Sequence, residues 1–421
     1  MDKQTQAIVV GYDSKTGVGS VAAPLYITTA FDFGTSQTAA ARFALQEIGQ
    51  IYSRLTNPTV DIFEAKMAAL ENGKSAIAVS SGQAALFSAI VNLTQFGDNI
   101  IVSNKVYGGT ISLTTHTLKR FGIEARIFDN DDDLENLIDD KTKAIIFETL
   151  SNPQIAIANI DKIAEISQKT GVVSICDNTV ATPILFNPLD KNIDVVVHSA
   201  SKYISGQGLS IAGVVVSNKN LNQKLVKNPR YSHFNEPDES YHGLIYANLV
   251  ENFDIFTLRI RLGILRDIGV TLSAFSAWQL IQGLETLDVR VRRQSENALK
   301  VAQFLENHPK VKNVNYPGLK SHPKHDFIKE NFTDGLCSGL LSFEVDDYET
   351  ALKVSNSTKI FKVVVNIGDS KSIITHPAST THQQLTKDEL KNAKISEGLI
   401  RLSIGLENVD DLIKDLENAL K

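Results

Sequence analysis

Between residues 75 and 216, short apolar runs alternate with amphipathic stretches, a pattern that few folds accept. The runs at 75–79, 99–102, 124–128, 144–147, 172–176, 195–197 and 213–216 predict strands, and helices fit between most of them, as over 161–170. Strands alternating with helices build right-handed βαβ units. They imply a mostly parallel sheet covered on both faces, an α/β fold. Ligands of such sheets sit beyond the carboxyl ends of the strands. A helix opens the region. Asn57 suits an N-cap and Pro58 the first helical position, and Val60, Phe63, Met67 and Leu70 recur at helical spacing before a C-cap at Asn72-Gly73. The acidic run 131–133 predicts a further helix start, since carboxylates favour the positive end of a helix dipole.

Residues 1–57 carry no sustained helical period. With Gly17, Gly19, Pro24 and a β-rich stretch over 25–29, they read as an extended arm that has to pack on something else, for instance a second subunit. Over 252–266 the pattern changes again. Helices are predicted at 272–283 and 290–307, then a second α/β segment with strands at 340–345, 362–366 and 399–404 and helices at 347–356 and 409–420. The expected organisation is an N-terminal arm (1–57), a large domain (58–255) and a C-terminal domain (256–421), with the boundary near residue 256.

Composition removes several classes of function. Only two cysteines occur, Cys176 and Cys337, so a disulfide framework is excluded and a reducing, cytoplasmic setting is expected. The formal charge of −6 comes without blocks of like charge, so neither nucleic acid nor a membrane surface is an expected partner. No apolar run approaches the roughly 20 residues that span a bilayer, and the first residues lack the basic-then-apolar pattern of a secretory signal.

The chemistry concentrates at 194–208. The apolar run Val195, Val196, Val197 delivers Ser199, Ser201 and Lys202 into a glycine-bearing turn. A lysine close to apolar walls has its charge disfavoured, and its amine becomes a usable nucleophile. Flanking hydroxyls suit a phosphate. Together they suggest a lysine Schiff base with a phosphorylated aldehyde, pyridoxal phosphate; the plainer alternative is a solvated lysine after a strand. Asp177 ends another predicted strand 25 residues earlier. A buried carboxylate at that edge would keep a pyridine nitrogen protonated, although an aspartate can simply cap a loop. The segment Ser80-Ser-Gly-Gln opens a helix after the first strand, so the N–H groups of Gly82 and Gln83 offer a phosphate seat. Tyr107 could stack on a ring or lend a phenol, or merely fill a core edge. Arg401, inside an apolar strand, needs a carboxylate from a ligand or from an internal salt bridge. The histidines, among them the pairs His322/His325 and His376/His382, form no HExxH motif, no CxxC occurs, and His198 reads as a hydrogen-bonded structural residue rather than a ligand, so no metal site is expected. No G-x-S-x-G elbow marks a serine hydrolase.

In order along the chain stand Tyr52-Ser-Arg-Leu-Thr-Asn-Pro, Ser80-Ser-Gly-Gln-Ala-Ala, Tyr107-Gly-Gly-Thr, Asp177-Asn-Thr-Val-Ala-Thr-Pro, His198-Ser-Ala-Ser-Lys-Tyr, His376-Pro-Ala-Ser-Thr-Thr-His and Gly398-Leu-Ile-Arg-Leu-Ser-Ile-Gly. This series resembles the pyridoxal-phosphate enzymes of cysteine and methionine metabolism, the transsulfuration group, over nearly the whole chain. The resemblance implies an aminotransferase-type (fold type I) architecture and a homotetramer built as a dimer of dimers. It implies that Lys202 carries the cofactor, Asp177 meets the pyridine nitrogen, Tyr107 stacks on the ring, and Gly82, Gln83, Ser199 and Ser201 hold the phosphate. Ser201 stands where the family usually has threonine. Tyr52 and Arg54 would reach the phosphate of a neighbouring subunit, Asn152 would lie near the phenolic oxygen, and Arg401, with Asn366 and Tyr52, would bind substrate. Pro237-Asp-Glu-Ser-Tyr-His-Gly and Asn366-Ile-Gly-Asp-Ser-Lys-Ser are most similar to the O-acetylhomoserine sulfhydrylase branch, whose γ-replacement uses O-acetylhomoserine with sulfide or a thiol. A methionine γ-lyase or a cystathionine-processing relative shares every cofactor residue. A cofactor-free binding protein is disfavoured by intact Lys202, Asp177 and Arg401. The segment Ser205-Gly-Gln-Gly departs from the family's usual Gly-Gly-His-Gly.

Overall fold

The computed structural model describes residues 1–16, 18–380 and 396–421, so Gly17, Thr381 and His382 of the segments singled out above lie outside the described residues. Two sheets organise the chain. The first has seven strands: β1 (Ser75–Val79), β2 (Asn99–Ser103), β3 (Glu124–Phe128), β4 (Thr142–Glu148), β5 (Val173–Asp177), β6 (Val195–Ser199) and β7 (Gly213–Ser217), in the order β1-β7-β6-β5-β4-β2-β3. All neighbours run parallel except β7, which is antiparallel to both β1 and β6. Every residue of Val195–Val197 and Val214–Val216 is buried. Such unbroken β-branched runs are what a sheet covered on both faces requires. The expected mostly parallel α/β sheet is borne out.

Helices cover it for legible reasons. In α3 (Pro58–Leu70) the Asn57 side chain accepts the Thr59 N–H at 3.0 Å and Pro58 occupies the first turn. The helix ends with Asn72 at φ 56°, the Gly73 N–H reaching the Ala68 carbonyl and the Asn72 N–H that of Ala69, a Schellman arrangement. Phe63, Met67 and Leu70 face the core. Helix α4 (Gly82–Leu93) follows β1 directly, with Ser81 as its N-cap.

The arm differs from expectation. It contains two short helices, α1 (Lys3–Val9) and α2 (Ser36–Phe43). The buried Lys66 amine donates to the Ala7 and Ile8 carbonyls, pinning the end of α1 with a cation where the helix dipole favours one. Residues 25–29 form no strand. The side chains of Asn57 and Thr59 take the Tyr26 backbone groups instead, and the nearest sheet-like pairing is the isolated bridge between Ala30 and Tyr52. Nor does the 131–133 run start an α-helix. A single 3₁₀ turn, Glu135–Leu137, follows before the chain extends at Ile138, and Asp132 pairs with Lys162.

The second sheet has five strands, β8 (Asn313–Asn315), β9 (Leu340–Glu344), β10 (Lys362–Val363), β11 (Ile373–Thr375) and β12 (Leu399–Ser403), in the order β10-β11-β12-β9-β8. The strand predicted over 362–366 stops at Val363, and the freed residues carry Asn366 towards the first sheet. Strands β8 and β11, three residues each, were not predicted. The long helices Ala274–Glu285 and Leu287–Glu306 join the two sheets.

Candidate active site

Because β7 is antiparallel to both its neighbours, β1, β2, β4, β5 and β6 all end at the same edge. A cavity of about 310 Å³ opens there, closed from the second sheet by Asn366 and Arg401. Gly82, Gln83, Tyr107, Asn152, Asp177, Ser199, Ser201 and Lys202, all singled out above, line it together.

Lys202 sits in the turn after β6. Its amine donates to Asn366 Oδ1 at 2.8 Å. Burial lowers its pKa, and the nearby Arg401 charge lowers it further. The departing segment 205–208 continues this turn. Gly206 and Gly208 adopt φ of 70° and 68°, and the buried Arg290 guanidinium donates to the carbonyls of Tyr203 at 2.6 Å, Ile204 at 3.3 Å and Gly283 at 2.7 Å. A Cβ on Gly206 would stand 2.1 Å from the Arg290 guanidinium. Glycine is therefore required twice over, by backbone angle and by space. Gly206→Ala is expected to lower stability by about 2 kcal/mol and to loosen the turn that presents Lys202; urea unfolding of the holoenzyme measures the first, and unchanged unfolding removes Arg290 as the clamp of this turn.

Asp177 ends β5, and its carboxylate accepts the Thr179 N–H at 2.9 Å. Burial raises its pKa, against which the Thr179 hydrogen bonds and the neighbouring His198 act. His198 itself is locked at 2.6 Å to the fully buried Glu71. At the start of α4 the helical ladder begins with the Ala85 N–H on the Ser81 carbonyl, so the N–H groups of Gly82 and Gln83 lie outside it. A Cβ on Gly82 would come within 2.6 Å of Ser199 Cβ, so the glycine lets helix and lysine strand approach closely. Ser201 Oγ also accepts the Ala212 N–H at 2.9 Å. Tyr107, 48% exposed, stands at the mouth.

Arg401 is 4% exposed in the middle of β12. Its guanidinium donates to Asn152 Oδ1 at 3.0 Å, the Asn366 carbonyl at 3.0 Å and Thr375 Oγ1 at 3.1 Å, while its buried Nε has no partner among the described residues. Among the described residues it forms no ion pair, and burial pulls its pKa down to about 10. The internal salt bridge that the sequence left open does not exist among them. A buried guanidinium without an acid calls for a carboxylate from a ligand.

Tyr52 and Arg54 stay outside this cavity; the Arg54 guanidinium lies 5.0 Å from the Tyr52 ring centroid. Glu148, Thr179 and Arg290 were missed. Of these, Glu148 carried a signal, an acid closing an apolar run at the same sheet edge as Asp177.

The cavity suits pyridoxal phosphate. Free helix N–H groups and hydroxyls gather at one end, a lysine amine and an acid lie within, and the unpaired Arg401 Nε leaves a position for a carboxylate. Comparison with known proteins gives the same answer. The family model for Cys/Met metabolism PLP-dependent enzymes matches residues 4–421. The O-acetyl-L-homoserine sulfhydrylases of Leptospira meyeri and Corynebacterium glutamicum are each 41% identical over 99% of this chain and 96% of their own length. A crystal structure described as a putative O-acetylhomoserine (thiol)-lyase from Campylobacter jejuni, containing N'-pyridoxyl-lysine-5'-monophosphate, superposes with a TM-score of 0.97 at 52% identity over the whole of both chains. That of metB from Corynebacterium glutamicum superposes with a TM-score of 0.84 at 31% identity, over 100% of this chain and 98% of its own. From β1 to β12, this chain belongs to the family of Cys/Met metabolism PLP-dependent enzymes.

Proposed function

We propose that the protein is an O-acetylhomoserine sulfhydrylase that replaces the acetate of O-acetyl-L-homoserine by sulfide or methanethiol, giving homocysteine or methionine. The observation that carries the substrate is the agreement of full-length relatives on that activity. The buried, acid-free Arg401 supports an amino-acid carboxylate in the same cavity as Lys202.

In this reading Lys202 holds the cofactor covalently, Asp177 faces its ring nitrogen, Tyr107 packs on the ring, Asn152 stands near its phenolic oxygen, and Gly82, Gln83, Ser199 and Ser201 hold its phosphate. Tyr52 and Arg54 complete that phosphate site in a neighbouring copy. Bound there, pyridoxal phosphate supplies an electron sink for the substrate Cα. Arg401 orients the substrate by its carboxylate, with Asn366 fixing the arginine through its main-chain carbonyl and Tyr52 reaching the substrate of a neighbouring copy. The Lys202 amine, its pKa lowered by burial, accepts the Cα proton and carries protons between carbons as acetate leaves and sulfur adds. Tyr107 is a second group for proton transfer at the mouth.

The same proposal includes the homotetramer built as a dimer of dimers, the cytoplasmic setting, and the division into arm, cofactor-binding domain to 255 and C-terminal domain from 256. Exposed apolar residues along the arm, Val18 at 97% and Val21 at 91%, support packing against another copy. The free, buried Cys176 and Cys337 support a reducing setting. Among the described residues no helix is long and apolar enough to cross a membrane.

Purified holoenzyme given O-acetylhomoserine and sulfide is expected to form homocysteine. Given methionine alone, it is expected to release little ammonia. Dominant ammonia release would replace the sulfhydrylase by a γ-lyase.

A further inference from the structure

Glu148, the last residue of β4, is 6% exposed and lines the cavity. It is the register partner of Asp177 on the adjacent parallel strand, so both carboxyls leave the sheet on the same face. Neighbouring strands lie about 4.8 Å apart. The Tyr107 N–H donates to Glu148 Oε1 at 2.6 Å, and the backbone N–H of Asn152 faces the same carboxyl and favours its charge. The Asn152 side chain in turn accepts from Arg401. One side chain thus ties together the residue at the mouth, the strand end beneath the cavity and the arginine across it.

We propose that Glu148 is a positioning residue that fixes Tyr107 and, through Asn152, Arg401, and that it does so as a neutral carboxylic acid, leaving Asp177 to carry the negative charge at this edge. The inference rests on the roles proposed above for Asp177 and Arg401. Two carboxyls side by side in a dry cavity cannot both ionise cheaply. Asp177 keeps the charge because it has the Thr179 hydrogen bonds and His198 to stabilise it. Burial raises the pKa of both carboxyls, but that of Glu148 is pushed well above the usual carboxylate value by burial and then by the Asp177 charge, outweighing its backbone hydrogen bonds. The other charged groups around it come from four further segments, those after β2, β3 and β6 and the strand β12. Lys202 and Arg401 face it across the cavity. Behind it, Lys105 and Asp131 line a smaller space, where the Lys105 amine is engaged by Asp129 at 3.3 Å.

Glu148→Gln and Glu148→Ala in the holoenzyme separate these statements. A neutral Glu148 is replaced by Gln without loss of charge. The pH midpoint of the bound cofactor's visible absorbance is then expected to move by less than about 0.3 unit, and KM for the amino-acid substrate by less than about threefold. A midpoint displaced by about one unit or more would mean that Gln removed a negative charge, and would overturn the neutral assignment. Glu148→Ala is expected to raise KM about tenfold and to weaken cofactor retention on gel filtration, as Tyr107 and Asn152 lose their anchor. Unchanged KM and retention in that variant would overturn the positioning role. Should Glu148→Ala prove insoluble, Glu148→Asp, one methylene too short to hold both N–H groups, is measured in its place. The absorbance titration and retention do not depend on which acyl ester or sulfur donor the enzyme uses, so a failure of the sulfhydrylase reading is distinguishable from a failure of this one.

Discussion

Lys202→Ala is expected to yield a folded protein without the visible absorbance of a lysine-linked cofactor and with turnover reduced at least a thousandfold, roughly the contribution of a positioned acid–base group. The side chain reaches from the turn after β6 into the cavity and, among the described residues, hydrogen-bonds Asn366 alone. Its removal therefore leaves β6 and its packing untouched while deleting both the covalent attachment point and the proton carrier. Borohydride reduction followed by peptide mass spectrometry checks the attachment, marking Lys202 in the native protein and nothing in the variant. A variant that keeps both the absorbance and the activity would overturn the assignment.

The second large effect belongs to Arg401. Arg401→Lys keeps a cation but loses the planar fork that matches a carboxylate at two points. The expected result is a KM for O-acetylhomoserine raised about ten- to thirtyfold with a smaller change in kcat, the span of one charge-assisted hydrogen bond. Arg401→Ala removes the charge as well and is expected to raise KM at least about a hundredfold. Steady-state kinetics on variants shown to retain cofactor absorbance give the answer. An unchanged KM would remove Arg401 from the substrate site and return it to a purely structural role.

How far the sequence foretold this site depends on whether each residue's partners lie near it along the chain. Asp177 was legible because it ends a predicted strand, and Lys202 because it stands in the turn that follows one, where polar groups emerge at a sheet edge. Gly82 and Gln83 were legible through the strand-to-helix turn that contains them. Glu148 closes a run of the same kind, but its meaning depends on the β4–β5 register and on the N–H of Tyr107 from beyond β2. Arg290 looked like one more charge on an amphipathic helix. Its role appears only when the helix is laid against the turn after Lys202. In the fold, the antiparallel course of β7 leaves no local mark on Val214–Val216. Strands of three residues, such as Ile373–Thr375, are too short for a period to register. The stretch 25–29 has the composition of a strand, but Asn57 and Thr59 take its backbone hydrogen bonds first.

The placement of β12 has a consequence for how the polypeptide emerges during synthesis. It is the last of the described strands in sequence order, yet it lies inside its sheet, hydrogen-bonded to β11 on one side and β9 on the other. Until residues 399–403 leave the ribosome, β9 and β11 each present an unpaired edge with no partner between them, the condition that invites pairing with other nascent chains. The cradle from Gly82 to Lys202 can be in place long before that moment, while the Arg401 wall cannot.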